Sequence, residues 1–163
     1  MMIKRLIIIL AMSSITIASD GKWFTSKNTS FGIGDEKFGL DFFSFSRTIY
    51  EQGNDEIFVG FGTSIFISTQ AGIGWKRTFD TDKKFKPFLS ASMFDRGANK
   101  MAVTNGDATR EDNCISFAGG GTIKLFDRKE GRRDVYFNIG AILVNDFRNS
   151  AQVYPIFNIE FKN

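Results

Sequence analysis

The sequence predicts an all-β fold: a closed, antiparallel, up-and-down transmembrane β-barrel of eight strands. Three observations carry that prediction. After an N-terminal leader, apolar residues alternate with small or polar ones along most of the chain, the two-residue period of a strand. No long segment repeats apolar residues at i, i+3, i+4 and i+7, the spacing of a helix face. In the later strands the apolar face carries no charge, while the opposite face is small and polar.

The leader reads "MMIKRLIIILAMSSITIAS". Lys4 and Arg5 give a positive start, Leu6 to Ala18 an apolar stretch, and Thr16 and Ala18 small residues before a cut ahead of Ser19. This is the three-part pattern of a secretory signal peptide. The apolar run is shorter than the roughly 20 residues a membrane helix needs. The expected organisation is therefore a signal peptide over residues 1–18 and one barrel domain over 19–163. The chain has 21 Lys+Arg against 18 Asp+Glu; losing Lys4 and Arg5 leaves 19 against 18. The basicity is thus mostly a targeting feature, and no nucleic-acid partner is expected, since such partners select clustered cations. The lone Cys114 rules out an intrachain disulfide framework and is expected to act as a small strand residue.

The strands follow in order. Lys22 to Gly32 is a weak first strand, with Trp23 near its start. Lys37 to Tyr50 is the second, and "EQGND" turns the chain. Glu56 to Phe66 and Gln70 to Asp80 are the third and fourth. "EIFVGFGTSIFISTQAGIGWK" (56–76) would run about 60 Å as one strand at about 3.3 Å per residue, so it must contain a hairpin. Its faces keep their odd/even parity throughout. A three-residue loop preserves parity, so the turn is expected at Ile67-Ser68-Thr69, or in a five-residue version of it. Phe85 to Asp95 is the fifth strand. The long polar connection Arg96 to Asn113 leads to the sixth, Cys114 to Phe126. The charged turn "DRKEGRR" precedes the seventh, Asp134 to Asn145, and Gln152 to Lys162 is the eighth. Pro87 and Pro155 lie near strand starts, where Pro is tolerated.

The faces decide the solvent. A soluble barrel hides its apolar face, whereas a barrel in lipid turns it outward and keeps small and polar groups within. On the outward, membrane-facing side we expect Ile57, Val59, Phe61, Ile73, Phe137, Ile139, Leu143, Phe157, Ile159 and Phe161. Gly60, Gly62, Gly72, Gly74, Gly120 and Gly140 fall on the inward face, where they let a narrow sheet bend. Asp41, Lys76, Lys124 and Glu160 are the candidate lumen charges, expected to pair with one another inside. A sheet in lipid must close, since an open edge leaves backbone groups unpartnered. Eight strands close around an interior that side chains just fill. Aromatics near strand ends (Trp23, Tyr50, Phe79, Phe94, Phe126, Tyr136, Tyr154 and Phe161) are expected to anchor the barrel at the interface. Trp75 falls nearer mid-strand.

On these features the chain resembles the small eight-stranded outer-membrane barrels of Gram-negative bacteria, over its whole length after the leader. The final stretch "VYPIFNIEFKN" alternates and offers Phe161, although the chain ends two residues later at Asn163. The resemblance implies export to the outer membrane, contact with outer-membrane lipid, and recognition of the C-terminal strand by the barrel insertion machinery. It places the N-terminus in the periplasm, the connection Arg96 to Asn113 outside, and "DRKEGRR" in the periplasm.

Chemistry is sparse. The chain has no His, which excludes His-based triads and His-ligated metals. The enzymes built on such barrels depend on a His, so by resemblance none fits. Asp80 with Asp82, and Glu111 with Asp112, read as solvated turn and loop residues, without the spacing of a Ca²⁺ loop. "GFG", "GIG" and "AGGGT" lack the Lys-Ser/Thr that a phosphate loop requires, and Asn28-Thr29-Ser30 matches a glycosylation sequon by chance. No cofactor and no catalytic or metal-binding residue is expected. The expected role is non-catalytic: a structural or surface-interacting span presenting the loop 96–113, whose partner the sequence does not name. Two alternatives stand beside it. One is a narrow channel for small solutes or apolar compounds. The other is a soluble secreted barrel binding a lipid-like ligand, with Ile57, Val59, Phe61, Ile73 and Trp75 lining its interior.

Overall fold

A computed structural model of the chain describes residues 21–37, 41–64, 68–81, 84–98, 111–126, 133–147 and 151–163. The signal peptide expected over 1–18 lies outside them. The described residues form eight strands: β1 (Lys22–Ile33), β2 (Phe43–Gln52), β3 (Asp55–Ser64), β4 (Ser68–Thr78), β5 (Phe85–Ala98), β6 (Glu111–Phe126), β7 (Asp134–Asn145) and β8 (Gln152–Lys162). Each pairs antiparallel with the next, and β8 pairs with β1, so the sheet closes into an up-and-down barrel. Both ends of the strand order, Lys22 and Lys162, lie at one rim with the β2–β3, β4–β5 and β6–β7 connections. We call this the turn end and the opposite rim the loop end.

The strands tilt, as closure requires. Asn28 pairs with Lys162 at the turn end of β8. Followed the other way, the same row runs through Ser46, Gly60, Gly72, Phe94 and Cys114. It arrives at the loop end of β7, where Ile115 meets Asn145. Bulges re-aim three rows near the turn end: between Trp23 and Ser26, Thr48 and Tyr50, and Lys124 and Phe126. Phe24 takes φ 55° within the first, a conformation rare for a residue with a large side chain. Gly120 and Gly140 face each other across β6 and β7. A Cβ at Gly120 would fall on the Ile139 carbonyl, and one at Gly140 on the Gly119 carbonyl. Only Gly permits that approach, and it lets the wall curve there.

Alternation sets the two faces. Phe61, Phe117 and Val153 stand 54%, 57% and 68% exposed on the outside. Even-numbered residues on the opposite face of these strands, such as Phe58, Asn138, Ile156 and Asn158, are buried. All ten residues expected on the outward face lie there, half-buried or exposed.

Several expectations need correction. The second strand begins at Phe43 rather than Lys37, because residues 34–37 turn into the barrel. The β3–β4 connection has three residues, as parity requires, but spans 65–67: Ser68 and Thr69 belong to β4, opposite Ser64 and Thr63. Ile67 lies outside the described residues. The β5–β6 connection is shorter than 96–113, since Arg96–Ala98 and Glu111–Asn113 extend the hairpin, with Gly97 opposite Glu111. Residues 99–110 lie outside the described set. Glu111 and Asp112 are therefore strand residues. Among the expected anchors, Phe94 is buried inside, where its parity with Ser90 and Ser92 puts it. Tyr136 and Tyr154 also sit on the inward-facing rows. Tyr50 is turned outward by its bulge, yet buried beneath Trp23, ring to ring at 5.0 Å. Trp75 lies in that same row, reached from Tyr50 through Ile57, so it belongs to the aromatic group near the turn end.

Candidate functional site: a plugged polar lumen

The interior divides into two sectors. Against β5, β6 and β7 an apolar cluster of Phe58, Phe88, Phe94, Cys114, Ala118, Ile142, Val144 and Ile156 fills the barrel. Cys114 is buried in it, outside any disulfide among the described residues. The other sector is polar and is occupied by the chain itself. After β1, Gly34 adopts φ 73°, open to Gly at little cost, and the backbone bends inward. Asp35, Glu36 and Lys37 then enter the lumen, each only 2% exposed.

The plug's side chains and several of its carbonyls meet partners on the wall. Ser30 and Ser44 hydroxyls donate to the Asp35 carboxylate. The Lys37 amide donates to Asp35 Oδ1 at 2.7 Å, an Asx-type turn that sharpens the bend. Ser90 Oγ donates to the Glu36 carbonyl at 2.5 Å, and Ser92 Oγ to the Lys37 carbonyl. Asn158 Nδ2 donates to the Gly34 carbonyl at 3.0 Å and to Glu36 Oε2 at 3.1 Å. These wall residues supply what a buried backbone segment demands.

The charges interlock. Lys76 Nζ lies 2.7 Å from Glu36 Oε1, and Lys37 Nζ 2.6 Å from Glu160 Oε1. Lys76 and Glu160 are themselves 3.8 Å apart. Plug and wall thus each contribute one cation and one anion. Lys76 also lies over the Phe88 ring at 4.9 Å and Lys37 over the Phe58 ring at 5.6 Å, favourable contacts for a desolvated ammonium. Nearer the turn end, Lys162 pairs with Glu56 at 3.1 Å, and Thr48 Oγ1 donates to Glu56 at 3.3 Å.

The four candidate lumen charges have different fates. Lys76 and Glu160 meet in the central network. Asp41 is buried near the loop end, where its Oδ1 accepts from Gln70 Nε2 at 2.7 Å. Lys124 stands exposed at the turn-end rim, 3.3 Å from Asp134; a bulge follows it and the wall ends there. Parity alone also marks Glu56 and Lys162 as inward, and the structure adds this pair to the four. Glu36 and Lys37 gave no such signal, because Lys37 begins an alternating run that reads as strand. Asp80 is exposed and pairs with Lys86 at 2.5 Å; Asp82 lies outside the described residues.

A cavity of about 280 Å³ opens at the turn end. Its lining mixes Lys76, Lys84, Lys86, Lys124 and Lys162 with Glu51, Asp55, Glu56 and Glu160. Beyond it the plug and the apolar cluster occupy the interior. Such an arrangement holds charge rigidly in place and leaves a vestibule at one rim. No family model, curated protein or solved structure matches the chain.

Proposed function

We propose that this chain is a non-catalytic, integral outer-membrane barrel of the Gram-negative type, exported by residues 1–18. In this reading it is a rigid, internally plugged span that holds the β5–β6 hairpin outside the cell. The observation that carries it is the inversion of the faces. From β3 to β8 the outward rows hold no charge except near the strand ends, while buried charge collects inside. A soluble barrel gains nothing by clearing its exterior of charge. In lipid each exterior Lys or Arg at mid-depth costs about 2–4 kcal/mol. Closure of the sheet supports the same reading, because lipid offers no partner to an open edge.

The polar lumen and the vestibule favour a second reading, a narrow channel gated by the plug. The soluble lipid-binding reading needs Ile57, Val59, Phe61, Ile73 and Trp75 inside, and their outward placement argues against it.

The test is fractionation of the expressing bacterium, with gel mobility of the membrane fraction compared before and after heating. A protein recovered in the outer membrane, whose mobility changes on heating, is the expected result. Recovery from the soluble periplasm or the medium would overturn the proposal.

A further inference from the structure

Two outward cations break the apolar exterior. Lys27 and Arg47 are register partners on β1 and β2, side by side and exposed. Like charges directly opposite each other repel, and among the described residues neither has an ion-pair partner. Around the barrel on the β3 side the same row continues through Val59, Ile73 and Met93, which carry no counter-charge.

Their setting is specific. Asn163 N–H donates to the Lys27 carbonyl at 3.0 Å, so the pair sits where β1 runs past the end of β8, toward the turn end. Arg47 lies over the Phe24 ring at 5.0 Å. Phe24, held in the bulge at φ 55°, and Trp23 are exposed on the turn-end side of the pair. The guanidinium and the ammonium suit a phosphate, the two aromatic side chains on their rim side suit its polar headgroup, and the exposed Phe45 and Phe61, on the loop-end side of Arg47 and Val59, suit its acyl chains. The guanidinium offers a planar fork of donors, the ammonium a point charge, and the Phe45 and Phe61 rings an apolar seat.

We infer that Lys27, Arg47, Trp23 and Phe24 form a binding seat for the phosphate of an anionic glycerophospholipid. The inference rests on the membrane reading above, and the turn end, being the N-terminal rim, selects the periplasmic leaflet. The lipid A phosphates of the opposite leaflet share the chemistry, and the test separates the two.

The full chain is folded into phosphatidylcholine vesicles carrying an equal fraction of brominated phosphatidylglycerol or brominated phosphatidylcholine. Trp75→Phe leaves Trp23 as the emitter, since the sequence has two Trp. If that variant does not fold, the total emission of the native pair is read instead. Quenching of Trp23 should report a preference for phosphatidylglycerol of about fivefold per cation. Lys27→Gln/Arg47→Gln should abolish it, while Arg77→Gln, which removes a cation paired with Asp55 at the same rim, should leave it intact. Equal quenching by both lipids, a preference that survives the double substitution, or stronger competition by lipid A overturns the inference. A chain that enters no vesicle, read as gel mobility insensitive to heating, overturns the membrane reading instead.

Discussion

Asp41 is the residue whose surroundings serve its charge least well. It lies in the β1–β2 connection, outside the strands, and its carboxylate fills the space that a side chain at Gly62 would take. Gln70 serves Oδ1, but Oδ2 has no hydrogen-bond partner among the described residues. Burial, and then the nearby Asp35, push its acid up to about 8, against the pull of Arg96. In the unfolded chain the same acid titrates near 3.8. Between those pH values the native state holds a proton that the unfolded state has lost, so this residue makes stability fall as pH rises. Asp41→Asn keeps the shape and removes the titration. We expect the variant to be slightly more stable at pH 5 and its advantage to be larger by a few kcal/mol at pH 9. Urea midpoints, read from heat-modified mobility at the two pH values, check this; an equal difference at both would refute it. The sequence placed Asp41 in the lumen. It could not supply Gln70 as its partner, because that contact joins residues 29 apart across a connection read as strand.

At the scale of elements, parity carried most of what was legible. It identified eight strands, their faces and the length of the β3–β4 connection. It failed where the chain departs from a ladder without losing alternation. Lys37 to Phe43 alternates well enough to read as strand, yet Gly34 turns the preceding residues inward. The bulge at Tyr50 reverses a face that counting alone cannot detect. The arrangement also explains why the four charges shared by plug and wall can be altered in pairs. Removing Lys76 alone would leave Glu36 and Glu160 buried with one cation fewer, a loss on the order of 3–5 kcal/mol. Glu36→Ala/Lys37→Ala removes one anion and one cation from the plug. It leaves Lys76 and Glu160, already 3.8 Å apart, to neutralise each other on the wall. The double variant should therefore still fold. It should raise single-channel conductance in a planar bilayer above that of the parent, since the side chains that bridge the lumen are gone. A folded double variant with unchanged conductance would mean that the apolar sector, not the ion pairs, closes the barrel.

For the whole molecule, the question is what medium the outer face meets, and depth dependence answers it. Ile139 lies midway along β7, faces outward and pairs with Phe157 on β8. Val135 lies on the same strand and the same outward face, near the turn end. Water treats the two sites alike, so Lys at either should change stability by about 0.5 kcal/mol or less. Lipid does not. A Lys at mid-bilayer costs about 2–4 kcal/mol, and one near the interface about 0–1, because its stem lets the ammonium reach the headgroups. Ile139→Lys should therefore be markedly less stable than Val135→Lys in vesicles, as measured by urea unfolding of the full chain. Phe157→Lys should match Ile139→Lys, since the two residues share one level of the wall. A flat profile across the three sites would place this face in water. The polar plug would then close a barrel whose apolar exterior requires some other cover.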